Sequence, residues 1–291
     1  MKKTLYTLFA LVLTASLISW QWEKTQHPTI DKGEVIECLN METQQAYQLE
    51  ASQAKFANLH IAPAVVNPAD LLGTIVPFNA ADGKPGQAYF IPAKKKSDKW
   101  LIVIQEWWGL NDNIKMEADQ YFKDLGDVNV MAVDMYDGKV AATPDSAMKL
   151  MRGADMNRMV ALIQGAVKHA GPKASIYSVG WCFGGMWSLQ TAIIAGPQAK
   201  GSVMYYGRPE SNMEKLKTIQ CDIIGFFGNL DQSPSPAMVN TFEDNMKLAG
   251  KNLTAYKYEA GHGFANPSNP SYNAAAKEDS YAKAIAFLKA H

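Results

Sequence analysis

The segment from residue 175 to residue 195 reads SIYSVGWCFGGMWSLQTAIIA and joins a strand-like run to a helix-like run. Ser175–Val179 is typical of a buried strand, and Met186–Ala195 is an apolar run of helical length. Between them, residues 180–185 (GWCFGG) place Cys182 among glycines. Glycine allows the close backbone approach that a tight turn needs. The segment therefore predicts a strand that turns sharply into a helix, with a cysteine at the turn.

The same alternation of strand and helix continues on both sides of this segment, from Gly73 to the end of the chain. The other predicted strands are Gln87–Ile91, Trp100–Gln105, Val128–Asp134, Gly201–Tyr206, Asp222–Phe227 and Leu253–Glu259. The other predicted helices are Asn111–Leu125, Ala147–His169, Pro236–Leu248 and Ala274–Lys289. Strands that alternate with helices predict an α/β fold with a mostly parallel central sheet and helices on both of its faces.

Composition excludes several classes of protein. The 291 residues carry 28 Lys+Arg and 28 Asp+Glu, and this balance argues against a nucleic-acid-binding protein, whose affinity needs a basic surface. A hydrophobic fraction of 47% excludes global disorder. Three cysteines are too few for a disulfide scaffold, and the absence of a C-x-x-C motif argues against a thiol redox protein. Whether Cys38 pairs with Cys221 stays open, because pairing depends on distance.

The first 22 residues have the features of a targeting segment. Lys2 and Lys3 precede an apolar run, Leu5–Trp20, which predicts a secretion signal or an uncleaved N-terminal anchor. We therefore expect an exported protein, periplasmic or secreted, with no membrane contact beyond that anchor. Residues 23–72 form an extension whose role the sequence does not reveal, and residues 73–291 form the main domain. We expect a monomer.

Cys182 is the candidate nucleophile. A thiol at a helix N-terminus is favoured as the thiolate, because the aligned amide dipoles stabilise negative charge there. The backbone N–H of Phe183 is then a candidate donor to an oxyanion that develops on a substrate. The competing interpretation is that Cys182 is a small buried hydrophobic residue and that the glycines only pack the helix on the strand.

Candidate partners for the thiol follow two later strands. Asp231 lies in the turn after Asp222–Phe227, and His262 lies in a Gly-flanked loop after Leu253–Glu259. Parallel strands bring such residues to one sheet edge, so the order Cys, Asp, His suits a nucleophile, an orienting acid and a base. The alternatives are a surface histidine and an aspartate that caps a helix before Pro234. Two other aspartates, Asp222 and Asp244, are less well placed in the chain.

These residues, with residues 105–111 (QEWWGLN), resemble the dienelactone hydrolase family over about residues 73–291. That family is a branch of the α/β-hydrolases with a Cys-His-Asp triad. The resemblance implies hydrolysis of a small-molecule ester or lactone through a thioester, without cofactor or metal. It also implies that Glu106 contacts the resting cysteine until substrate rearranges that contact, and that the backbone N–H of Trp107 is the second oxyanion donor.

The sequence departs from the family where the substrate carboxylate is recognised. Asn266 stands where the family has an arginine after the histidine, and Thr143–Ala147 offers no second one. Arg152 and Arg208 are the remaining candidates. Without a bidentate clamp, recognition of an anionic lactone is weakened, so we predict an ester or lactone hydrolase but not one specific for dienelactone. The predicted substrate-binding residues are Trp108, Trp181, Phe264 and Asn266. The alternative function is a non-catalytic small-molecule-binding protein on the same scaffold.

Overall fold

The computed structural model describes residues 71–291, which form one eight-stranded sheet with helices. The targeting segment, nearly all of the 23–72 extension and Cys38 lie outside the described residues. The strands are β1 Thr74–Asn79, β2 Pro85–Ile91, β3 Lys99–Ile104, β4 Asn129–Val133, β5 Ser175–Trp181, β6 Ala199–Tyr205, β7 Asp222–Gly228 and β8 Leu253–Tyr258. The helices are α1 Asp112–Leu125, α2 Pro144–Arg152, α3 Met156–Ala170, α4 Phe183–Ala195, α5 Met213–Thr218, α6 Pro236–Leu248 and α7 Ala274–Ala290.

The sheet has the order β1-β2-β4-β3-β5-β6-β7-β8. β2 runs antiparallel to β1 and β4, and every other neighbouring pair is parallel. The predicted mostly parallel sheet is therefore confirmed. Because β3 to β8 all run the same way, their carboxyl ends meet at one edge of the sheet, which is where an open α/β sheet places its site.

Helices cover both faces of the sheet, as the sequence predicts. α1 packs on β4 and contacts α7, which lies over β6 and β7. α3 and α4 contact each other and cover the other face, with α4 against β3, β5 and β6. The strands between these layers are buried on both sides: every residue of β4 is buried, as are the last four of β3. Within residues 71–291, no helix has the length and apolarity to cross a bilayer.

Three elements differ from the sequence prediction. The single helix predicted over Ala147–His169 is wrong: α2 and α3 are separate helices, with Gly153 between them and Asp155 as the N-cap of α3. Asp155 accepts a hydrogen bond from the backbone N–H of Asn157, so a new helix starts there. The strand β1 and the short helix α5 were not predicted. β1 is a mostly exposed edge strand, and Pro77 within it weakens the strand signal of its sequence.

The contact between α3 and β1 depends on Gly165. A Cβ atom at this position would lie 2.6 Å from the Ala80 Cα and 2.6 Å from the Asn79 carbonyl oxygen. We expect Gly165→Ala to lower the free energy of unfolding by about 1–3 kcal/mol, because backbone atoms must move to admit the methyl group. Urea unfolding followed by circular dichroism measures this change. Gln164→Ala, at the preceding and partly exposed position, is the control and should change stability by less than about 0.5 kcal/mol. Equal stability of the two variants would contradict this account.

Candidate active site

Five side chains converge at the carboxyl edge of the parallel strands. Glu106 follows β3, Cys182 follows β5, Tyr206 follows β6, Asp231 follows β7 and His262 follows β8. These strands are neighbours in the sheet. Residues far apart in the sequence therefore meet at one place because strand direction is shared.

The turn at Cys182 is sharp, and glycines make it possible. Cys182 has φ +56°, in the left-handed region, and it is the N-cap of α4. A Cβ atom at Gly180 would lie 2.1 Å from the Gly184 carbonyl oxygen, and one at Gly184 would lie 2.3 Å from the Ile104 carbonyl oxygen. The Cys182 N–H donates to the Tyr205 carbonyl oxygen at 3.0 Å. The first turn of α4 is thus pressed against the ends of β3, β5 and β6, and the thiol is held at the helix N-terminus.

The structure brings Cys182, His262 and Asp231 together. His262 Nδ1 lies 2.8 Å from Asp231 Oδ2, and Cys182 is near enough to the imidazole to act on its pKa. All three side chains are buried. Burial acts to lower the pKa of His262, but Asp231 and Cys182 together outweigh it and raise that pKa well above its ordinary value. The alternative interpretation of His262 as a surface histidine is wrong, since only 4% of it is exposed.

The remaining hydrogen bonds of Asp231 hold its carboxylate in place. Oδ1 accepts from the Ser233 N–H at 2.8 Å, while Ser235 rather than Asp231 caps α6. Asp222, at the start of β7, instead contacts Asn252 and His291. Asp231 is therefore the aspartate that meets the imidazole, and its interpretation as a cap of α6 is wrong.

Glu106 is a buried carboxyl group whose resolved hydrogen-bond donors are uncharged. The Tyr206 hydroxyl lies 3.5 Å from Oε1, and Asn266 Nδ2 donates to Oε2 at 2.9 Å. Within residues 71–291, Glu106 has no ion pair with lysine or arginine. Burial raises the pKa of Glu106 to about 7, although His262 and the two donors act to lower it.

Two tyrosines belong to this region that the sequence analysis did not single out. The Tyr206 ring packs edge-on against His262 with 5.1 Å between centroids, and its φ is +36°. The Tyr136 ring lies 5.5 Å from that of Phe183, and among the described residues its buried hydroxyl has no hydrogen-bond partner. Both tyrosines follow the carboxyl end of a strand, β6 and β4 respectively. That position in the chain is the signal that could have identified them.

A cavity of about 280 Å³ reaches the sheet edge at Glu106 and Tyr206, whereas Cys182, Asp231 and His262 are not among its lining residues. It is lined by Glu106, Asn111, Asn113, Ile114, Met116, Glu117, Trp181, Tyr206, Ala265, Asn266, Pro267, Ser268 and Lys277. Of the predicted substrate-binding residues, Trp181 and Asn266 line this cavity. Trp108 and Phe264 are buried in the packing around the site and do not line it. Their role in substrate binding stays a prediction. Within residues 71–291, no cluster of three or more metal-ligating side chains occurs.

The sequence model of the dienelactone hydrolase family matches residues 87–291. The chain belongs to this family. Membership confirms the predicted class, a carboxylic ester hydrolase. The matched region begins in β2 and extends to residue 291. It therefore includes Glu106, Cys182, Tyr206, Asp231 and His262, the five residues at the sheet edge.

Individual relatives agree with this membership. A protein of Escherichia coli O157:H7 that bears the provisional name carboxymethylenebutenolidase is 27% identical over 237 residues, covering 70% of this chain and 84% of its own. Protein usf of Aquifex pyrophilus is 30% identical over 219 residues, and the match covers 69% of this chain and 91% of that protein. The crystal structure of a dienelactone hydrolase-like promiscuous phosphotriesterase from metagenomic libraries superposes with a TM-score of 0.64 at 22% identity, covering 75% of this chain and 98% of its own. The fold is therefore the predicted α/β-hydrolase fold.

The buried Glu106 makes stability depend on pH. A carboxyl group whose pKa is raised to about 7 by folding binds its proton more tightly in the folded chain. Its contribution to stability is therefore fully present below about pH 4.5, the unfolded value, and is lost as the pH rises through 7. We expect the wild type to lose on the order of 2–3 kcal/mol relative to Glu106→Gln between these pH values. Denaturant unfolding of both proteins from pH 4 to pH 9 measures the difference. A constant difference would show that Glu106 does not titrate in this range.

Proposed function

We propose that the chain hydrolyses a small-molecule ester or lactone with Cys182 as nucleophile, His262 as base and acid, and Asp231 as the group that orients His262. The observation that carries this proposal is the buried cluster in which His262 is hydrogen-bonded to Asp231 and its imidazole is also acted on by the nearby Cys182. A nucleophile held against a base that is itself oriented by a third group is the arrangement that activates a thiol for attack on a carbonyl carbon.

The proposed reaction has two stages. In the first, the Cys182 thiol gives its proton to His262, and the sulfur attacks the carbonyl carbon to form a tetrahedral intermediate. The carbon–oxygen bond of the ester then breaks, His262 returns the proton to the departing alkoxide, and a thioester remains on Cys182. In the second stage, His262 takes a proton from water, hydroxide attacks the thioester, and the thiolate leaves with the proton returned by His262. The products are an acid and an alcohol, and with a lactone both stay in one molecule.

Backbone amides are the proposed donors to the oxyanion of the tetrahedral intermediate. Phe183 is the first residue of α4, directly after the thiol, so its N–H belongs to the positive end of the helix dipole. Trp107 follows Glu106 in the loop after β3, which is the strand next to β5. These two residues are the pair implied by the family resemblance, and their positions after the carboxyl ends of the neighbouring strands β5 and β3 support that assignment.

Glu106 is proposed to control the charge of the thiol. An ionised carboxylate near a thiol disfavours the thiolate by like-charge repulsion, whereas a protonated carboxyl does not. The raised pKa of Glu106 and its hydrogen bonds to Tyr206 and Asn266 support such a role, because they allow the group to exist in either form near neutral pH. Movement of Tyr206 and Asn266 when substrate binds would change the pKa of Glu106 and therefore the charge of its carboxyl group.

Replacement of the cysteines provides the direct test of the proposed nucleophile. Cys182→Ala should lower kcat/KM for a small aryl acetate by at least about a thousandfold, because the variant lacks the sulfur on which the acyl intermediate forms. Cys221→Ala, which removes the other described thiol at a position away from the sheet edge, should keep wild-type activity. Mass spectrometry of acid-quenched wild type during turnover should detect one acyl group on the peptide that contains Cys182. Hydrolysis that survives Cys182→Ala would contradict the proposal, and wild type that is inactive on every ester tested would favour the binding-protein alternative.

The orienting aspartate has a matched control on α6. Asp231→Asn should lower kcat by roughly 10²–10⁴-fold, because the imidazole loses the carboxylate that fixes its tautomer and stabilises its charged form. The same change should lower the pKa of His262, which nuclear magnetic resonance of the ring can follow. Asp244→Asn makes the same chemical change on α6 and should leave kcat within about twofold. If the two variants behaved alike, Asp231 would not have the assigned role.

A further inference from the structure

The charged groups that line the 280 Å³ cavity are two carboxylates and one ammonium group. Glu106 and Glu117 supply the carboxylates, and Lys277 supplies the only lysine or arginine among the lining residues. Lys277 is already paired, since its Nζ lies 3.0 Å from Glu117 Oε1 across the interface between α1 and α7. An anion that enters the cavity would therefore meet Glu106, which has no ion pair with lysine or arginine, and a lysine whose charge is balanced by Glu117.

The other lining residues carry no formal charge. Asn111, Asn113 and Asn266 contribute amides, and the rest of the wall is largely apolar, with Ile114, Met116 and Trp181 among its members. Arg152 and Arg208, the two arginines that the sequence left as candidates for holding a substrate carboxylate, do not line the cavity. Amides and apolar side chains bind uncharged polar groups well but do not offset the cost of removing a carboxylate from water.

We propose that this cavity selects esters and lactones that carry no negative charge near the scissile bond. The inference rests on the proposed function, and it names the substrate class of the same site. The physical basis is repulsion of like charge by a carboxyl-lined, partly buried wall, together with the absence of an available cation within it. Glu117 and Lys277 together determine the net charge of the cavity wall. Replacement of Glu117 leaves the Lys277 ammonium group without its carboxylate, and replacement of Lys277 leaves the Glu117 carboxylate without its cation.

The test compares substrates that differ in charge but hardly in shape. One pair carries the charge on the acyl side: p-nitrophenyl pentanoate, which is neutral, and mono-p-nitrophenyl glutarate, which is anionic. The other pair carries it on the alcohol side: 4-acetoxybenzamide and 4-acetoxybenzoate. In at least one pair, we expect kcat/KM for the neutral ester to exceed that for the anionic ester by at least about tenfold. The pair that shows this difference identifies whether the acyl side or the alcohol side of the substrate enters the cavity. Added salt should narrow the preference, because it screens the repulsion.

Two variants with opposite expected effects test the origin of the preference. In the discriminating pair, Glu117→Gln should raise the ratio of anionic to neutral turnover by about tenfold, and Lys277→Gln should lower it by several-fold. The ratio is measured on one enzyme sample, so differences in folding or concentration cancel. Glu243→Gln breaks a comparable ion pair, with Lys257 on another face of the molecule, and should leave the ratio unchanged.

The outcomes separate the inference from the proposed function. Equal or faster turnover of the anionic ester in both pairs overturns the inference and leaves the hydrolase assignment intact. Ratios that do not move in opposite directions in Glu117→Gln and Lys277→Gln also overturn it. Failure of the wild type to hydrolyse all four esters contradicts the proposed function, and the inference falls with it.

Discussion

The close contact between the first turn of α4 and the ends of three strands is the constraint on which the site depends. Gly180 and Gly184 have no room for a side chain, because backbone oxygens occupy the space where a Cβ would be. This contact forces Cys182 into the left-handed region, a conformation that costs free energy for a residue with a Cβ. The surrounding sheet must stabilise it. The thiol is therefore positioned by packing of the backbone, before any hydrogen bond of the side chain is considered.

The second requirement is to keep several ionisable groups together out of water. For Asp231 the hydrogen bond to His262 meets this requirement, since a buried carboxyl group next to an imidazole is compensated by the charge that the ring can acquire. Glu106 has no such compensation among its hydrogen-bond donors, and its pKa rises accordingly. The site thus contains one carboxyl group that is hydrogen-bonded to an imidazole and another, Glu106, whose pKa is raised to about 7. Two acids in one small space can have different functions for that reason.

The sequence predicts those parts of the molecule that follow from local pattern. The buried strands β3 to β7 are identifiable because strands buried on both faces are continuous apolar runs, and Cys182 is identifiable because glycine spacing marks a tight turn. The break between α2 and α3 was missed because Gly153 lies inside an otherwise helical pattern, and glycine within a helix carries only a modest cost. The contacts of Glu106 could not be predicted either. They depend on Tyr206 and Asn266, which reach it from the ends of two other strands.

The loop after β8 links the orientation of the base to the charge state of Glu106. This loop carries both His262 and Asn266, and it is held by its own hydrogen bonds, from the Asn266 N–H to the Gly263 carbonyl oxygen and from the Asn273 N–H to that of Phe264, each at 2.9 Å. Gly263 has φ +76° and lies against Asn269, so the loop has little freedom to change shape in one part alone. Displacement of Asn266 by a bound substrate would therefore change the position of the His262 imidazole as well as the hydrogen bonding of Glu106. Because Asn266 is neutral, such a displacement removes a hydrogen bond from Glu106 without removing a countercharge. The resulting change in the pKa of Glu106 is smaller than the change that loss of an ion pair would cause.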